Sequence, residues 1–154
     1  SYPNINSIEV NYKFDIIRLN WSLEHVHSPS NYFKFIEENL SKDGIAIICV
    51  PNINGLLYKI NPNALELPVH LYHFDLKTLK NYSKKYNLII TKSITFSYPE
   101  MYLFAERIGL ISDKYKFYKM NLSNAFDFQR LHKIFDDIGF GNDILMILKK
   151  DHMG

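Results

Sequence analysis

With 154 residues, 47% of them hydrophobic and 22% charged, the chain is long enough to bury one core and too apolar for a disordered tail. A net charge of +2 gives no electrostatic case for a nucleic-acid or anionic-membrane partner. No apolar run approaches the roughly 20 residues that span a bilayer, Ser1 to Val10 lacks the apolar centre of a signal peptide, and the lone Cys49 excludes an internal disulfide, so a reducing, cytoplasmic compartment is the default.

In chain order, Phe14 to Asn20 is a short apolar run with β-branched residues and predicts a buried strand. Ser28 followed by Pro29 offers a helix N-cap and first-turn proline, and Phe33, Ile36 and Leu40 then line one helical face. Gly44 is placed as the residue of positive φ that ends this helix. Ile45 to Val50 is apolar throughout, as a strand covered on both faces should be, and Pro51 stops it. A loop rich in Asn and Pro follows from Asn52 to His73, with one helical turn around Leu56 to Ile60. Asp75 should cap a helix through Tyr86, and the alternation from Leu88 to Phe96 predicts another strand. Helical patterns over Glu100 to Leu110 and Ser123 to Ile138 form an insertion at about 99–140, ended by Gly139-Phe-Gly141, before a last strand from Asp143 to Lys149.

Strands alternating with helices, with neither repeats nor a linker, predict one α/β domain over 1–154 with a mainly parallel sheet. A doubly wound domain rarely opens on a buried central strand, and Ser1 to Tyr12 supplies no strand-helix unit before it, so a preceding half is expected to be missing.

Three segments together resemble the class I S-adenosylmethionine-dependent methyltransferases, specifically their small-molecule branch. Phe14 to Val26, ending in Leu-Glu-His-Val and followed by Pro29, is similar to the family's fourth strand and the turn after it. Leu40 to Asn52 is similar to its glycine turn and fifth strand, and Leu67 to Phe74 to its Pro-x-His-x-x-His-Phe segment. The resemblance covers about Tyr12 to Phe96; beyond that it rests on topology. It implies a partial Rossmann-like fold holding strands four to seven, with the last strand antiparallel and inserted between the second and third of this chain. The family's first strand and glycine-rich cofactor loop have no counterpart. Gly139-Phe-Gly141 follows a helix and precedes a strand, the reverse of what a phosphate or cofactor loop requires. S-adenosylmethionine should therefore bind this chain alone weakly or not at all.

By the same resemblance, Asn20, Trp21 and Ser22 border the cofactor at the carboxyl edge of the sheet, where open α/β folds bind ligands. His25 and His70 become the candidate catalytic residues, because an imidazole can deprotonate a hydroxyl near neutral pH. Asn52, Tyr72 and His73 become candidate acceptor contacts. Each functional reading has a structural alternative, in which His25 caps its turn, the other histidines pack beneath a loop, and Trp21 belongs to the core. His-x-His at 25–27 and His-x-x-His at 70–73 offer imidazoles to a metal, but no cysteine and no carboxylate at a ligand-like spacing completes the set, so no metal is expected. The implied activity is methyl transfer to a small molecule, with sugar, lipid or quinone-type acceptors suggested by analogy. The competing reading is a non-catalytic remnant or interaction module. With the first strand missing, Phe14 to Asn20 becomes an exposed edge, expected either to self-associate or to pair with an N-terminal segment.

Overall fold

The computed structural model describes residues 5, 8–60, 68–98 and 125–151. Strand β1 (Phe14–Asn20) leads through a single 3-10 turn (Leu23–His25) into helix α1 (Pro29–Asn39), then β2 (Leu40–Pro51) and a short α2 (Leu56–Ile60). Helix α3 (Leu76–Lys85), β3 (Leu88–Phe96), α4 (Ala125–Asp137) and β4 (Asp143–Lys150) complete the chain. The expected helix from Glu100 to Leu110 lies outside the described residues.

The four strands form one sheet in the order β1-β2-β4-β3. β1 and β2 pair in parallel, while β4 runs antiparallel to both β2 and β3. Three strands thus share one direction and the last is inserted between two of them against it, as the resemblance implied. The sheet is mixed rather than mainly parallel, because the reversed strand takes part in two of the three pairings.

Alternation along the two central strands decides the layers. Ala46, Ile48 and Val50 of β2 and Ile144, Met146 and Leu148 of β4 are buried on one face. They join Phe33 and Ile36 of α1, Leu79 of α3 and Leu23, Val26 and Phe74 of the loops in a single core. Helix α1 begins at Pro29, whose fixed φ suits the first turn, with Ser28 at the N-cap position but making no side-chain capping bond. Helix α3 is capped as expected, Asp75 Oδ1 accepting from the Thr78 amide at 2.7 Å. Phe33 stacks on Tyr82 with ring centroids 4.9 Å apart, locking α1 to α3.

One local expectation is overturned. Gly44 does not end α1 in a left-handed conformation; the helix stops at Asn39 and Gly44 lies within β2, outside the positive-φ residues. Its glycine identity has a steric reason instead. The β1–β2 register jumps from Phe14↔Leu40 to Ile16↔Ile45, so the backbone folds back on β1. A Cβ on Gly44 would sit 2.9 Å from the Phe14 carbonyl oxygen and 3.0 Å from that of Asp15.

Candidate functional site

The carboxyl ends of β1, β2 and β3 and the start of β4 open on the same edge of the sheet. The backbone there is strained at Trp21, which adopts φ 45°, a left-handed conformation costly for a bulky side chain. Two bonds hold it: the Trp21 amide donates to the Cys49 carbonyl at 2.9 Å, and the indole Nε1 donates to Asp143 Oδ1 at 2.8 Å. The residue is 38% exposed, and its ring centroid lies 6.4 Å from that of Tyr98. Burial pushes the Asp143 carboxyl up to about 6, against the opposing indole bond and with a smaller contribution from Asp136. Burial and the charges of Asp143 and Glu24 together push the Cys49 thiol up to about 12, so Cys49 is an inert core residue and not a nucleophile.

Next to this edge, two segments remote in sequence are clamped together. The Leu71 and Tyr72 amides both donate to the Glu24 carbonyl, at 2.7 and 3.2 Å. His25 Nδ1 lies 3.1 Å from the Val69 carbonyl, and the Tyr72 hydroxyl donates to the His27 carbonyl at 3.0 Å. Because a carbonyl can only accept, His25 Nδ1 carries the proton and its Nε2 is left facing the Glu24 carboxylate, 3.7 Å away. The His25 and His70 rings meet edge to face with centroids 4.8 Å apart, and His73 lies 6.3 Å beyond His70. Both candidate catalytic histidines thus fall in one cluster, with Tyr72 and His73 beside it.

The remaining candidates are placed differently. Asn20 accepts from Arg18 at 3.2 Å at the end of β1, and Ser22 opens the 3-10 turn, its carbonyl accepting from the His25 amide. Asn52 is 2% exposed and its carboxamide is committed to structure. Nδ2 donates to the Gly141 and Gly139 carbonyls at 2.7 and 3.2 Å, while Oδ1 accepts from the Asn54 amide. Two carboxylates at this edge were missed. Asp143 carried only a faint signal, an acidic residue opening an apolar strand. Glu24 stood within the Leu-Glu-His-Val turn, but nothing in its spacing told that it would be 1% exposed and beside both histidines.

The methyltransferase-domain family matches residues 4–93, more than half of the chain, and the chain belongs to that family. Among curated proteins no relative matches. Among solved structures, an S-adenosylmethionine-dependent methyltransferase from Clostridium acetobutylicum superposes with a TM-score of 0.56 at 13% identity, covering 98% of this chain and 64% of that one. A phosphoethanolamine N-methyltransferase of Haemonchus contortus, in complex with phosphomonomethylethanolamine and S-adenosylhomocysteine, gives 0.58 at 15% identity, covering 97% of this chain and 36% of that one. These likenesses establish a methyltransferase-type α/β fold. The chain spans less than two thirds of the length of either structure.

Proposed function

We propose that the chain is the C-terminal, acceptor-facing half of an S-adenosylmethionine-dependent methyltransferase acting on a small molecule. The observation that carries the proposal is the cluster at the carboxyl end of β1, where His25 and His70 converge from two segments fixed to each other by backbone hydrogen bonds. Family membership supplies the reaction class, and the reversed β4 between β2 and β3 supports assignment to the later strands of the fold.

S-adenosylmethionine, when bound, would supply an electrophilic methyl group for in-line transfer to an oxygen, nitrogen or carbon of the acceptor. The protein must align the nucleophile and, for a hydroxyl, take its proton. In this proposal His25 and His70 orient the acceptor and receive that proton, with Tyr72 and His73 beside them on the acceptor side. Asn20, Trp21 and Ser22 border the cofactor, the held indole of Trp21 forming a wall against it. Asn52 acts indirectly, by fixing the turn at Gly139–Gly141. The glycine-rich loop that grips the cofactor belongs to the half of the fold that precedes β1. Sugar, lipid or quinone-type acceptors are suggested by analogy with proteins that carry the Pro-x-His-x-x-His-Phe segment.

The test is substitution in the complete enzyme. His25→Ala or His70→Ala should lower turnover by roughly 10²-fold or more, the scale of a lost general base, with cofactor affinity little changed. A loss of thermal stability with no separate loss of turnover would assign the histidines to packing.

A further inference from the structure

We propose that Glu24, His25 and His70 form a binding site for one divalent first-row transition metal ion of the Zn²⁺ type. The histidine motifs alone did not predict one, because a carboxylate adjacent to His25 is not at a recognisable ligand spacing. Folding supplies what spacing did not: one ligand atom from each of the three residues lies within 4.8 Å of the others.

Three features make this more than proximity. The donor set is two imidazoles and a carboxylate, which matches the three protein ligands of open zinc sites, with further positions left for water or a substrate oxygen. The ring is oriented for ligation: His25 Nδ1 lies 3.1 Å from the Val69 carbonyl, the outer contact that ligating histidines usually make, and Nε2 is the ring atom turned to the side where Glu24 lies. The frame is rigid, since the turn carrying Glu24 and His25 is fastened to the loop carrying His70 by the Leu71 and Tyr72 amides and by the Tyr72 hydroxyl.

Burial points the same way. The Glu24 side chain is 1% exposed and that of His25 15%, so the cluster is shielded but reachable from the His25 side. Ligands around a zinc-sized ion sit roughly 3–3.5 Å apart. Glu24 Oε1 and His25 Nε2 are already at 3.7 Å, so binding requires only a modest closing movement, chiefly of the His70 ring.

Binding of the ion does not depend on the methyltransferase reading. Where both hold, His25 and His70 would hold the ion, which would supply Lewis-acid activation of the acceptor in place of proton removal by the free imidazoles.

The test is metal titration of the whole chain, using Co²⁺ absorption as a coordination probe and Zn²⁺ competition against a chromophoric chelator. One ion per chain should bind with micromolar or tighter affinity, and Mg²⁺, which prefers oxygen ligands, should not displace it. Glu24→Gln and His70→Gln should each weaken Zn²⁺ binding at least 10-fold, whereas His27→Ala, at an exposed neighbour outside the cluster, should not. Circular dichroism of each variant separates lost ligation from lost folding, and the more accessible His25→Gln serves if Glu24→Gln does not fold. An absent Co²⁺ ligand-field band, or a band unchanged in folded ligand variants, would overturn the proposal. Neither result would touch the methyltransferase reading, which is judged by turnover of the complete enzyme.

Discussion

Asp143 and His132 are both buried, and burial moves their ionisation in opposite directions with opposite consequences for stability. Asp143 is raised from an ordinary 3.8 to about 6, so the folded chain keeps a proton that the unfolded chain releases. Its contribution is full below about pH 4 and is lost as the pH rises through 6. His132 is lowered by burial from 6.5 to about 4, so its contribution is full above about pH 6.5 and is lost as the pH falls through 4. The two slopes oppose each other across the same window. Asp143→Asn should therefore be more stable than the parent at pH 8, by on the order of 1–3 kcal/mol. It should also lose stability more steeply on acidification, because the His132 slope is no longer opposed. Urea denaturation at pH 4, 6 and 8 checks both; a variant less stable at pH 8 would mean that the bond from the Trp21 indole to the carboxylate outweighs the cost of burying it. Residue-scale facts of this kind were the least legible in the sequence. His25 and His70 could be picked out by residue type and motif, but the Asp143–Trp21 pair spans 122 positions and the Glu24 cluster depends on a loop fastened by backbone bonds. Neither leaves a local pattern to read.

Between residues and whole molecule, the elements were read best where their signal is periodic. Phe14–Asn20 and Leu88–Phe96 appear with the bounds expected of them, since apolar β-branched runs carry their own pattern. Where a boundary depends on a neighbour, the reading failed: β2 begins at Leu40 rather than Ile45, because Ser41–Gly44 fold against β1, with Ser41 Oγ donating to Asp15 at 2.7 Å. The turn joining α4 to β4 is held still more tightly. Gly139 takes φ 91°, a conformation that favours glycine. Asn52 donates to the Gly139 and Gly141 carbonyls, and the Leu57 amide donates to Asn142 Oδ1 at 2.9 Å. A Cβ on Gly141 would collide with the Phe96 amide nitrogen and sit 2.8 Å from the Thr95 carbonyl carbon, both backbone atoms that cannot swing aside. Gly141→Ala should thus cost at least about 2 kcal/mol, as overpacking a tight site does. A thermal melt matching the parent would show that β3 and this turn can separate without penalty.

At the scale of the molecule, the sheet is unevenly covered. One face is sealed by α1 and α3, but on the other Ile16 is 62% exposed, Ile94 is 41% exposed and Ile47 and Ile147 are only partly buried. Among the described residues, no strand pairs with the outer edge of β1. An apolar edge of this kind invites another strand. The chain by itself should therefore associate through Phe14–Asn20, and Ile16→Lys should reduce that association. Light scattering that finds the unmodified chain monomeric at high concentration would contradict the exposed-edge reading. No helix among the described residues is long and apolar enough to cross a membrane.

Calorimetry with S-adenosylmethionine tests the half-fold reading most directly. If the cofactor is gripped by a glycine-rich loop ahead of β1, the chain alone should bind it far more weakly than the micromolar range, about −8 kcal/mol, that a formed site reaches. The chain completed with the strand, glycine-rich loop and helix of the preceding half should bind with micromolar affinity. Micromolar binding by this chain alone, or none by the completed protein, would contradict the assignment.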